Sequence, residues 1–196
     1  MKKSWIIIGI IVVAVFVLYR FFAGTYNTMV GMNEPINGAW AQVENAYQLR
    51  ADKTKVLVET VKGAANFEKS TLEAVIQARA AATSVKIDPT NLTPDKVAEF
   101  QRAQDGLSSS LSRLLVVAEQ YPQLKATQNF SDFQAQYEGM ENRIGVARRD
   151  FNEIVQNYNT YIRKFPNNFL AGMYGFQAKG YFQAQAGADK APDVKF

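Results

Sequence analysis

The chain contains neither cysteine nor histidine. The two absences remove nucleophilic chemistry built on imidazole or thiolate, thiol redox chemistry, and zinc or haem sites of the usual kind. Calcium or magnesium sites built only from carboxylates survive in principle. No D-x-[DN]-x-[DN]-G run supports one, so no catalytic, cofactor-binding or metal-ligating residue is assigned. Phosphate-cradling glycine loops are missing too: there is no Walker sequence and no G-x-G-x-x-G, and Gly172-x-x-Gly175 is too short and too aromatic to replace them. An excess of one charge is also lacking. The chain has 22 Lys and Arg against 18 Asp and Glu; removing Lys2, Lys3 and Arg20, which flank the N-terminal apolar run, leaves 19 against 18. Such a surface argues against nucleic-acid binding, which needs a basic patch or stripe. Zero cysteine fits either side of a membrane and sets no redox compartment.

What is present begins with Trp5 to Tyr19, uncharged and apolar, continued after Arg20 by Phe21-Phe22-Ala23. As a helix, Trp5 to Ala23 rises roughly 28 Å, close to the ~30 Å hydrocarbon core of a bilayer. Arg20 sits near one end, where its stem can snorkel to the headgroups. The layout imitates a secretory signal, but cutting after Ala23 or Gly24 puts Phe21 or Phe22 where a small residue is wanted. An uncleaved anchor is the better reading. Lys2, Lys3 and the α-amino group place Met1 in the cytoplasm and the large domain outside it. The organisation expected is a single-pass anchor (1–24), a juxtamembrane segment (25–37), a helical bundle (38–182) and a flexible tail (183–196), small and polar from Gly180 onward.

The bundle is read from heptads. Trp40, Val43, Tyr47, Thr54, Leu57, Val61, Ala64, Val75, Ala78 and Ala82 step by threes and fours, with Arg50 and Glu68 in the same seam. This predicts a helix over 38–83, ended by the Ser84–Asn91 stretch with its Pro89. Thr93-Pro94-Asp95 starts a second helix whose seam runs from Val97, Phe100 and Gln104 to Tyr121. A third runs from near Ser131 to Phe165-Pro166 along Phe133, Met140, Ile144, Phe151 and Tyr158. Phe169–Phe176 makes a short fourth helix or hooked turn. No strand-like alternation persists, so the fold class is all-α: an N-terminal transmembrane helix, then an elongated antiparallel bundle of three long helices plus a short C-terminal one.

Charges on the apolar faces, namely Arg50, Glu68, Arg79, Glu119, Glu141 and Arg148, read as interhelical ion pairs that fix register. Antiparallel alignment sets Glu68 against Arg143 or Arg148, and Arg79 near Asp150 and Glu153. The unequal helix lengths leave Trp40, Val43 and Tyr47 without cover, which predicts homo-oligomerisation through that face.

Ala39-Trp40, Arg50-Ala51-Asp52, Leu57 to Lys62, Ala78-Arg79-Ala80, Glu119 to Ala126, Glu141-Asn-Arg-Ile144, Ala147-Arg148, Asn152, Tyr158-Asn159, Phe165-Pro166 and Gly175-Phe176 form an ordered set. In that order the chain resembles the LemA family of bacterial membrane-anchored helical proteins. It departs at Lys53-Thr54-Lys55-Val56, where the family commonly has Leu-Ile-Pro-Asn; without the proline the first helix is straighter. The resemblance implies an elongated bundle on an anchor and no reaction. It also implies scaffold or adaptor roles, since relatives are associated with membrane proteolysis and magnetosome membranes. The leading reading is therefore a non-enzymatic scaffold or adaptor that recruits envelope proteins, a membrane protease among them. The alternatives are an envelope ligand-binding module and a carboxylate-dependent hydrolase.

Overall fold

A computed structural model describes residues 2–64 and 67–184. These are all-helical, with no strand among the described residues. Helix α1 runs without interruption from Lys2 to Lys62, about 92 Å at 1.5 Å per residue. The apolar run and the first helix of the bundle are thus one helix. From Phe22 and Thr25, inward-facing positions continue through Met29, Ile36, Trp40, Val43, Tyr47, Arg50, Thr54, Leu57 and Val61. The expected juxtamembrane segment therefore belongs to the bundle. Pro35 lies inside α1 on its exposed side, where water can serve the carbonyl left without a donor. The helix also passes unbroken through Lys53–Val56.

The helix expected over 38–83 breaks in two. Gly63 ends α1, its N–H donating to the Glu59 and Thr60 carbonyls, and α2 (Lys69–Ser84) turns back beside α1. Ala64 and Glu68 kept the heptad count across this turn, which hid it. A 3-10 turn at Pro89–Asn91 is capped by Asp88, whose carboxylate accepts from the Thr90 N–H and hydroxyl. Helix α3 (Pro94–Ala118) starts at Thr93-Pro94, as its sequence predicts, and α4 (Pro122–Lys125) is a single turn. Helix α5 (Gln128–Arg163) begins three residues before Ser131. Helix α6 (Asn167–Tyr174) ends on Gly175 at φ 79°, a left-handed position that favours glycine.

Helices α1, α2, α3 and α5 alternate in direction, with α5 antiparallel along α1 and α2 antiparallel along α3. Their apolar faces make two cores. A core proximal to the apolar stretch gathers Met29, Ile36, Trp40, Val97, Phe100, Phe151 and Tyr158. A distal core gathers Leu57, Val61, Val75, Leu107, Leu114, Phe130 and Met140. Arg50 lies between them.

Candidate functional site

The boundary between the two cores is polar. Arg50 is 1% exposed. Its guanidinium donates to Glu141 Oε1 on α5 at 2.9 Å, and to both the carbonyl and Oε1 of Gln104 on α3 at 2.9 Å. Gln104 Nε2 passes the network on to the Ala82 carbonyl of α2 at 3.0 Å. One residue of α1 is thus tied to all three of its long neighbours, an arrangement that meets the requirement of a buried charge for a partner and hydrogen bonds. Arg50 Nε has no partner among the described residues. The Tyr47 ring lies 5.0 Å beneath the guanidinium carbon. Burial raises the Tyr47 phenol above its ordinary value, against the opposing pull of Arg148 and Arg50.

Of the charges expected to pair, Arg50 and Glu141 come together, although the sequence alignment did not match them to each other. Glu68 has no ion-pair partner among the described residues. It is exposed at the start of α2 and accepts from Ser70 at 2.6 Å, a bond that lowers its carboxyl pKa. The break at Gly63 takes it off the seam that would have brought it to Arg143 or Arg148. Arg79 reaches no acid; its Nε donates to the Ala51 carbonyl at 2.8 Å, because α2 lies against α1 rather than beside Asp150 and Glu153. Glu119 pairs with Lys125 on the surface of the distal turn. Arg148 stands 3.8 Å from Asp105.

Trp40, Val43 and Tyr47, expected as an exposed interface, are buried inside the chain. The cover comes from α3, α5 and the extended strap Phe176–Ala184, whose residues from Gly180 onward were expected to fray. Its Phe182 ring stacks on Trp40 at 6.0 Å and meets Phe151 edge-on at 5.5 Å. Arg148 lies over the outer face of Phe182 at 5.0 Å. The strap is held by side-chain amides that each use both ends. Asn159 bonds the N–H and carbonyl of Lys179, Asn152 those of Phe182, and Gln101 those of Gln183, at 2.8–3.0 Å. The spacing has a simple origin. Two helical turns from Asn152 to Asn159 cover about 10 Å, the reach of three extended residues from Lys179 to Phe182. Gly180 fits where no side chain would: a Cβ there would come within 2.8 Å of Pro94 Cα. The Lys179 ammonium donates to the Thr90 carbonyl at 3.0 Å, and burial lowers its pKa while Asp88 opposes that. Residues 185–196, the rest of the expected tail, lie outside the described residues.

Sequence reasoning gave Asn152, Asn159 and Gln101 no role, although Asn152 and Tyr158-Asn159 are among the residues that carry the family resemblance; a further signal was amide side chains at helical spacing beside the seams. The distal end carries an open cleft of about 640 Å³ between Thr60, Gly63, Tyr121 and Leu124. Its lining has no carboxylate and no amine to serve as acid or base. No cluster of metal-ligating side chains occurs among the described residues.

Comparison with known proteins agrees with this architecture. Two magnetosome proteins MamQ of Paramagnetospirillum magneticum are each 36% identical over 87 residues, covering 44% of this chain and 32% of the relative. The chain thus spans about a third of the length of these relatives. Protein LemA of Metamycoplasma hominis is 25% identical over 183 residues, covering 93% of this chain and 79% of the relative. The family model described as the LemA family matches residues 39–196. That match begins one residue before Trp40 and runs from the Trp40 region of α1 through every later element to the strap: the chain belongs to the LemA family.

Proposed function

We propose that this chain is a membrane-anchored, non-enzymatic scaffold or adaptor that holds a stiff helical rod against the bilayer and recruits other envelope proteins to it. The observation that carries the reading is α1. One helix contains a stretch long and apolar enough to cross a membrane, none of it buried, and then forms the spine of the bundle. No linker intervenes, so orientation is transmitted from anchor to bundle. The seam carboxylates support a structural role. Glu141 is engaged by Arg50 and Asp105 faces Arg148, so each carboxylate already has a cationic partner in the fold. The charge asymmetry around the apolar stretch favours a single-pass arrangement in a bacterial inner membrane with the bundle outside the cytoplasm. The magnetosome relatives are named for a membrane-bounded organelle, and a scaffold beside a membrane fits that association. A membrane protease is one partner class the family resemblance suggests.

Photo-crosslinking in native membranes tests the reading. Crosslinkers placed at the exposed Val116 and Gln123 should capture the same discrete proteins from neighbouring positions. A bundle that forms no protein adduct from any exposed face in its native membrane would contradict it.

A further inference from the structure

The bundle end nearest the apolar stretch of α1 exposes a second apolar surface. Phe169 and Met173 stand at i, i+4 spacing on α6 and Phe165 lies in the turn just before it; they are 71%, 55% and 87% exposed. The opposite face of α6 is satisfied: Leu170 and Ala171 are buried in the proximal core. The outward stripe is therefore additional to what the fold needs.

Its height above the membrane can be worked out. Tyr158 lines the same small cavity as Asn33 of α1. Helix α5 continues from there to Arg163, about 7 Å further toward the apolar stretch, level with Thr28. Helix α6 then turns against α1, with the Tyr174 and Tyr26 ring centroids 5.1 Å apart. If Ala23 ends the hydrocarbon span, Tyr26 lies about 4–5 Å beyond it, inside the headgroup zone of about 5–7 Å on each face. The α5–α6 tip is thus at headgroup height. Its charge also fits: residues 154–184 contain no Asp or Glu, and the exposed Arg163 and Lys164 flank Phe165.

The geometry points to the α5–α6 tip as a second membrane contact: Phe165, Phe169 and Met173 enter the lipid interface beside α1, and Arg163 and Lys164 meet the phosphates. Apolar and aromatic side chains backed by basic ones are what an interfacial helix presents to lipid. A second contact beside the first fixes the rod's tilt, which one helix alone leaves free. This inference rests on the anchoring proposed above.

The natural absence of cysteine permits single labels in the full chain. Spin labels at Phe169→Cys and Met173→Cys, with Val13→Cys and Val116→Cys as references, are read by collision with oxygen and with a water-soluble nickel chelate. The host is a phosphatidylcholine–phosphatidylglycerol vesicle. The Phe169 and Met173 labels should favour oxygen over the chelate several-fold more than Val116, as Val13 does. If they meet the chelate as freely as Val116 while Val13 reads lipid, the second contact is wrong and the anchor stands. If both reagents are excluded, another protein covers the stripe, and the inference also fails. If Val13 itself reads water, the anchoring reading falls and this one with it.

Discussion

Arg50 is costly to bury, and three neighbouring helices share the work of keeping it. Removing one partner leaves the charge stranded, whereas removing the charge and its partner together leaves space that apolar atoms can fill. Glu141→Ala should therefore destabilise the bundle by about 2–3 kcal/mol, below the ~3–5 typical of fully buried pairs because Glu141 keeps water access. Arg50→Met with Glu141→Leu should lose much less, and urea unfolding of the detergent-solubilised chain measures both. Glu68→Ala should lower the midpoint far less than Glu141→Ala, since its carboxylate is in water and loses only the bond from Ser70. At Tyr47 the effect depends on pH. Burial raises its phenol above 10.0, so below about pH 10 both folded and unfolded states are protonated and the group contributes nothing to the pH dependence. Above that the unfolded phenol loses a proton that the folded one retains, and stability falls. Tyr47→Phe should make the alkaline loss shallower, read as the difference from the parent chain so that Lys179 and Tyr158 cancel. The importance of Arg50 and Glu141 was legible, because charges in an apolar seam need partners. Their mutual pairing was not, because it depends on a turn at Gly63 that the heptad count ran through.

At the scale of elements, the strap changes what the bundle is. Among four helices that leave an aromatic trough at Trp40, Phe100 and Phe151, one extended segment supplies the missing ring. Phe182→Ala should cost about 3–4 kcal/mol, the usual range for emptying an aromatic site. Gly180→Ala should cost about 1–3 kcal/mol, because its methyl meets the Pro94 backbone and lifts the strap. Both should raise Trp40 fluorescence quenching by acrylamide; unchanged quenching would show that the strap does not cover the ring. The helices were readable from periodicity, capping and proline placement. The strap was not, because its grip is on backbone N–H and carbonyl groups, which any sequence carries. Gly180 reads as the start of a tail for the same reason that it fits, since it is wanted for having no side chain, and Phe182 two residues on stands outside any heptad that would mark it as core. The predicted exposed face at Trp40 followed from reading 38–83 as one helix, which took Phe100 of α3 and Phe151 of α5 away from that face, and from missing the strap's return.

For the whole molecule, the apolar stretch and the spine of the bundle are one helix, and the physical consequence is coupling. A label at Gln128→Cys should react with a membrane-impermeant thiol reagent in intact cells, or in spheroplasts if an outer membrane intervenes. Protection until the inner membrane is opened would put the bundle in the cytoplasm. The continuity of α1 is open to a more direct measurement. Spin labels at Tyr19→Cys, in the apolar stretch, and Val56→Cys, exposed on the distal half of the same helix, bracket Pro35 and the whole proximal core. Double electron–electron resonance on the full chain in lipid nanodiscs should give one narrow distance distribution centred near 55 Å, the rise of an unbroken helix between them. A broad distribution reaching tens of ångströms shorter would mean a hinge between membrane and bundle, and would contradict the rigid rod on which the proposed scaffold role depends.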